Sequence, residues 1–277
     1  MHDPLNARAI LKSYGISPKK KLGQNFIVSQ SAVDQVMTAA SFGEKDQILE
    51  IGAGLGALTL ALAKHRHKVV TIEYDQRLIP ILKDVLGSYE NVNVIHGDIL
   101  QLKLEDIITP PEYLVVANIP YQITSAVIRR VVEAPYPARR VVLTIQKEVA
   151  ERIVAQPGNL SLLALSVHIF GQPRIFSHIA SKAFYPQPKV ESSVLRIDMY
   201  PQPLIPVSEI DHFFRIAKAG FGQKRKKLRN ALSAGLRITP TEVEDIMLRA
   251  KIPPSLRAQE LSIDQWQHLS KSLIGIV

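Results

Sequence analysis

The chain of 277 residues contains no cysteine. Disulfides and cysteine-ligated zinc are thereby excluded. Its eight histidines show no metal-ligand spacing. No uncharged apolar run approaches the ~20 residues needed to cross a bilayer. Residues 1–15 lack the apolar centre of a signal peptide, so a soluble, cytoplasmic and monomeric protein is expected. Acidic residues are in deficit, 25 against 34 basic ones, which leaves a formal charge of +9. An excess of that size favours a polyanionic partner such as nucleic acid, although composition alone does not establish one. There is no internal repeat, no low-complexity tract and no RRM or KH signature, so any RNA would be recognised by shape. Hydrophobic residues, by contrast, make up 46% of the chain, enough for a full core.

Residues 1–22 are polar and basic, and read as an arm or loosely packed lead-in ending in Lys19, Lys20 and Lys21. From Ser29 onward Val33, Val36, Met37 and Ala40 recur at helical spacing, with Ser31 and Asp34 resembling a start signal. Short apolar strands are then expected at 47–51, 68–73, 92–96, 113–118 and 140–146. Helices at 57–64, 75–86 (capped by Asp75), 123–132 and 147–154 separate them, and His65, Arg66 and His67 crowd the end of one. A helix over 160–170 and two closing strands at 174–180 and 190–199 follow. Strands alternating with helices imply an α/β fold of Rossmann-like type, its seven-stranded sheet mostly parallel and covered on both faces. Pro201, Pro203 and Pro206 mark a linker, after which the pattern is helical only. Three segments result: an arm at 1–22, a catalytic domain at 23–203, and a small all-α C-terminal domain at 204–277.

The segment from Glu50 through Gly52, Gly54 and Gly56 to Ala57 follows a strand and opens a helix. Gly52, Gly54 and Ala57 fit the G-x-G-x-x-G/A pattern, and Glu73 lies about 20 residues on, where a ribose-binding acid belongs. A dinucleotide would place a pyrophosphate on this loop, which the Glu50 carboxylate would oppose. S-adenosylmethionine carries cationic sulfonium and ammonium groups and no phosphate, so the same carboxylate is compatible with it. Asp98, ending the third strand, offers an acceptor for an adenine amine or a cap for the next turn. These residues fall at successive strand ends, the edge where open α/β sheets bind ligands.

The fourth strand ends in Asn118-Ile119-Pro120-Tyr121. An adenine exocyclic amine is a poor nucleophile because its lone pair is delocalised into the ring. Accepting hydrogen bonds from its two hydrogens localises that pair, and the Asn118 side-chain oxygen and Ile119 carbonyl are suited to this. Pro120 stiffens the turn without offering a competing donor. Tyr121 offers a flat face for an extruded base. No general base is then required; the remaining acceleration is alignment.

Here the chain resembles the rRNA adenine dimethyltransferase family. Asn118 to Tyr121 resembles its motif IV, Leu22 to Phe26 its N-terminal cofactor motif, and Glu50 to Gly56 its glycine motif. Gln146 to Arg152 and Phe184 to Ser192 (F-x-P-x-P-K-V-x-S) are similar to two further family segments. The bacterial small-subunit branch, associated with kasugamycin sensitivity, matches better than the macrolide-resistance branch. The resemblance implies a class I methyltransferase that dimethylates two adjacent adenines near the 3′ end of small-subunit rRNA during ribosome assembly. It implies cofactor contacts from Asn25, Ile27, Glu50, Gly52, Gly54, Glu73, Asp98 and Asn118. It also implies that Phe184 stacks on the target adenine opposite Tyr121, and that the C-terminal domain docks on a late precursor of the small subunit.

Lys224, Arg225, Lys226, Lys227 and Arg229, with Lys19, Lys20 and Lys21, are the candidate phosphate contacts; a solvated helix face is the alternative reading. Three rival functions remain: a nicotinamide-dependent oxidoreductase, a non-catalytic nucleic-acid-binding protein on the same scaffold, and a DNA adenine methyltransferase.

Overall fold

The computed structural model describes residues 3–43, 46–65, 68–108 and 113–276. The positions Arg66 and His67, expected beside a helix end, lie outside them. The chain forms two compact units, Met1–Ala150 with Gln172–Pro201, and Glu151–Gly171 with Gln202–Val277.

In the first unit the order is α1 (Ala7–Ser13), β1 (Phe26–Ile27), α2 (Gln30–Ala40), β2 (Gln47–Ile51), α3 (Ala57–Lys64), β3 (Val69–Glu73), α4 (Ile79–Leu86), β4 (Val92–His96), β5 (Tyr113–Asn118), α5 (Thr124–Val132) and β6 (Arg140–Gln146). There follow α6 (Lys147–Ile153), α7 (Leu162–His168), β7 (Gly171–Ile179), β8 (Phe184–Tyr185) and β9 (Ser192–Met199). The last helices are α8 (Ile210–Phe221), α9 (Leu228–Leu236), α10 (Pro240–Arg249) and α11 (Ile263–Ser272).

Seven strands make one sheet in the order β4-β3-β2-β5-β6-β9-β7. The neighbours β4-β3, β3-β2, β2-β5 and β5-β6 are parallel, and β6-β9 is antiparallel. β2, β3 and β5 are buried almost throughout because their residues are apolar on both faces. The order runs outward in opposite directions from β2 and β5, so the crevice at their C-terminal ends is a switch point.

Three sequence expectations need correction. Residues 1–22 are not a loose arm: Asn6 caps α1, and Ala7, Ile10 and Leu11 pack with Leu78, Ile81, Leu82 and Val85. The apolar i, i+3, i+4 spacing of this short helix is outweighed in composition by its basic surroundings. The cap of α2 is Ser29, whose hydroxyl accepts from the Ala32 amide at 3.4 Å, rather than Ser31. The boundary at 203 also shifts, because α7 and the last three residues of α6 group with the C-terminal helices.

In that second unit α8 and α9 cross closely at Gly235, where an added Cβ would stand 2.6 Å from Ala219 Cβ. Trp266 of α11 is fully buried and stacks on Phe221 with ring centroids 5.4 Å apart.

Candidate active site

A cavity of ≈330 Å³ opens at the C-terminal ends of β2, β3, β4 and β5. Gly52 and Gly54 line it after β2, Glu73 after β3, Asp98 after β4, and Asn118, Ile119, Pro120 and Tyr121 after β5. Asn25 and Lys21 line it from the segment before β1.

The glycine loop has positive φ at Gly52, Gly54 and Gly56, +80°, +59° and +86°. At Gly54 a side chain is disfavoured twice: by that φ, and by the Phe26 ring, 3.1 Å from where a Cβ would sit. Its amide donates to Glu73 Oε2 at 2.8 Å. The other Glu73 oxygen accepts from the Asp75 amide at 2.8 Å. Burial pushes the Glu73 carboxyl up from its ordinary pKa, against the pull of these amides. Asp98 Oδ1 accepts from the Leu100 amide at 2.9 Å, which caps the turn as one of the two sequence readings had it, and the residue also lines the cavity.

Asn118 Nδ2 donates to the Asn25 carbonyl at 3.0 Å, and Asn25 Nδ2 donates to the Gly23 carbonyl at 3.2 Å. A carbonyl cannot donate, so the first bond fixes which way the Asn118 amide faces and leaves Oδ1 as an acceptor. The Pro120 carbonyl accepts from the Ile123 amide at 3.1 Å, closing the turn that carries Tyr121.

Three expected cofactor or substrate contacts are not brought to the cavity. Glu50 lies within β2, 1% exposed, and its Oε2 accepts from Thr59 Oγ1 and Thr71 Oγ1, both at 2.6 Å. It clasps β2 to α3 and β3 and does not line the cavity. Burial pushes its pKa up to about 7, which also weakens the charge argument that sequence reasoning built on it; Glu73 is the acid that faces the cavity. Ile27, expected to meet the cofactor through its backbone, is buried in β1, paired with Phe184 of β8, and is not among the residues lining the cavity. Phe184 itself is 3% exposed in the core cluster with Ile27, Val33, Val36 and Val194, and offers no free face opposite Tyr121. A strand of two residues is too short to show an inward or outward alternation in sequence.

The basic residues divide similarly. Lys224, Arg225, Lys226 and Lys227 are exposed on the turn before α9, not on a helix face. Arg229 pairs with Glu244, and Lys19 Nζ lies 3.8 Å from Asp75.

Sequence reasoning took Asp75 only as a helix cap. In the structure it also ties down the segment bordering the cavity. Arg77 donates to it through Nη2 at 2.6 Å and Nε at 2.9 Å, holding its carboxyl at about 2. Gln24 Nε2 donates to the same carboxylate at 2.8 Å, and the Lys19 amide donates to Gln24 Oε1 at 2.7 Å. The only local signal is the polar pair Asp75 and Arg77 directly after a buried strand.

This sheet order, with a glycine loop after β2, an acid ending β3 and the cavity at the switch point, defines a class I methyltransferase. A family model described as ribosomal RNA adenine dimethylase matches residues 15–274, and the chain belongs to that family. It is thus an S-adenosylmethionine-dependent rRNA adenine dimethyltransferase. A ribosomal RNA small subunit methyltransferase A of Dehalococcoides mccartyi is 40% identical over 271 residues, covering 97% of this chain and 93% of the relative. One of the same description from Anoxybacillus flavithermus is 37% identical, covering 99% and 96%. Among solved structures, the 23S rRNA methyltransferase ErmE superposes with a TM-score of 0.72 at 25% identity, covering 90% of this chain and 100% of that one. A dimethyladenosine transferase from Plasmodium falciparum gives 0.75 at 24% identity, covering 90% and 97%.

Proposed function

We propose that this enzyme dimethylates two adjacent adenines near the 3′ end of small-subunit rRNA, acting as a cytoplasmic monomer on a late precursor of the small ribosomal subunit. The observation that carries the site assignment is the convergence of Glu73, Asp98 and the Asn118–Tyr121 turn on one cavity. The curated relatives named for small-subunit rRNA support the substrate. Among the described residues no helix is long and apolar enough to cross a membrane, which is compatible with that location.

The residues present fit the methyl donor. Glu73 and Asp98 supply acceptors for ribose hydroxyls and an adenine amine, and the glycine loop lies on the other side of Glu73, at the end of the adjacent strand β2. Asn25, Gly52, Gly54 and Asn118 complete the contacts. Bound S-adenosylmethionine supplies an electrophilic methyl carbon on a sulfonium.

Asn118 Oδ1 and the Ile119 carbonyl accept from the two hydrogens of the target amine, which turns its lone pair out of the ring. The hydrogen bond from Asn118 Nδ2 to Asn25 holds that acceptor in place before substrate arrives, so the turn needs no reorganisation on binding. Tyr121 stacks on the extruded base. Pro120, lacking an amide hydrogen, leaves the amine without a competing donor. Lys224, Arg225, Lys226 and Lys227, with Lys20 and Lys21, contact phosphates.

The test is incubation of the purified protein with radiolabelled S-adenosylmethionine and undermodified small ribosomal subunits, followed by nucleoside analysis. Dimethyladenosine that is lost in Asn118→Ala supports substrate and site together. Label confined to another RNA, or retained by the variant, overturns the corresponding part.

A further inference from the structure

The Tyr121 hydroxyl and Ser192 Oγ are 2.9 Å apart, although 71 residues separate them in sequence. The two ends of this bond are held very differently. Tyr121 opens a short 3-10 turn after β5, half-buried at the cavity wall. Ser192 opens β9, is 0% exposed, and faces Gln146 at the first register position of the β6–β9 ladder. Directly beside it the Lys147 amide donates to the Glu191 carbonyl at 3.1 Å and Lys147 Nζ meets Glu191 Oε2 at 3.0 Å. The serine is therefore held in the sheet ladder, while Tyr121 stands outside it on the turn after β5.

A tyrosine ring turns about two side-chain torsions, and the second is soft. The phenol oxygen lies on the axis of that second torsion, so a hydrogen bond there restrains the first: it fixes where the far end of the ring stands. Ser192 is not among the residues lining the cavity, so it acts on substrate only through Tyr121. Burial pushes the Tyr121 phenol above its ordinary pKa, and the hydroxyl stays protonated at neutral pH.

We infer that Ser192 is a positioning residue for methyl transfer: its hydroxyl fixes where the far end of the Tyr121 ring stands at the cavity wall, and thereby where the stacked adenine presents its amine. This rests on the reading of Tyr121 as the stacking face. With the ring free to swing about its first torsion, the base still binds, but a smaller fraction of complexes is aligned for transfer. The loss belongs in kcat rather than in KM.

The experiment compares Ser192→Ala, Tyr121→Phe, the double variant and Tyr121→Ala, on undermodified small ribosomal subunits with S-adenosylmethionine. Thermal melts and S-adenosylmethionine binding are measured alongside. Expected are about five- to tenfold falls in kcat for Ser192→Ala and for Tyr121→Phe, the worth of one hydrogen bond. KM for the subunit and cofactor affinity stay at wild-type values. The double variant falls no further than either single one, because both remove the same bond. Tyr121→Phe removes that bond without touching the sheet, and serves if Ser192→Ala folds poorly. Wild-type kcat in both single variants, or losses that multiply in the double, would overturn the inference while a defect in Tyr121→Ala leaves the stacking role standing. A fully active Tyr121→Ala overturns both.

Discussion

At the scale of single residues, two carboxylates that look alike in sequence part company. Glu50 lies one residue before the end of β2 and Glu73 ends β3, both on buried strands beside the glycine loop. Glu73 meets backbone amides and the cavity; Glu50 meets two threonine hydroxyls inside the sheet. The difference has a consequence in pH. Folding raises the Glu50 pKa from its ordinary value to about 7, so the folded state favours the protonated form. Its contribution to stability is full below the unfolded pKa and is lost as pH rises toward 7. Glu50→Gln keeps an acceptor for the threonines and removes that titration. Thermal melts between about pH 4.5 and 7.5 are expected to fall more shallowly with rising pH in the variant than in wild type. Glu73 shifts in the same direction, so some slope remains. Equal slopes would show that Glu50 is not the buried acid inferred here. Asn118 makes the companion prediction. Asn118→Ala removes the proposed acceptor of the target amine and one tie to Asn25, so kcat should fall by roughly 10² to 10³. Single-turnover assays would show it, while melts move little.

At the scale of elements, helices and strands were legible where local pattern decides them. The strands at 47–51, 92–96, 113–118 and 140–146 and the helix at 57–64 form at the expected residues. Their apolar runs and the glycines between them act within a few positions. The helix α1 was missed because its buried face is three residues wide, Ala7, Ile10 and Leu11, within a basic stretch. The expected helix from 75 begins as a tighter turn, and the α-helix proper starts at Ile79, where Pro80 suits the first turn. Element packing yields two further predictions. Gly235→Ala places a methyl 2.6 Å from Ala219 Cβ and 2.9 Å from its Cα, so α8 and α9 must separate. Despite the better helix propensity of alanine, a net loss of about 1–3 kcal/mol is expected, read as a lower denaturant midpoint. At the start of α2, Ser29→Ala removes the side-chain acceptor of the Ala32 amide and costs about 1 kcal/mol. A midpoint unchanged by either substitution would contradict the packing or the cap.

At the scale of the whole molecule, the formal charge of +9 is not spread evenly in use. Arg77, Arg139, Arg140, Arg196 and Arg229 all meet carboxylates in the chain itself. Lys224 to Lys227 stand exposed on one turn. Replacing these four by alanine should weaken binding to small-subunit rRNA and flatten its dependence on salt. If all four meet phosphates, the slope of log K against log salt drops by about 3. An unchanged slope would remove this turn from the RNA face.

The sequence by itself determined the alternation of strands and helices, the glycine loop, and the Asn118–Tyr121 turn. Each depends on residues adjacent in the chain, and together they sufficed for the class of enzyme and its chemistry. Only the tertiary structure decided which of these side chains reach the cavity. It turned Glu50, Ile27 and Phe184 inward, joined Gln24 to Asp75, and set Ser192 against Tyr121. Those outcomes depend on strand register and on which face of a short element meets the core. Register is settled by partners far away in the chain, and a shift of one residue reverses the direction of every side chain.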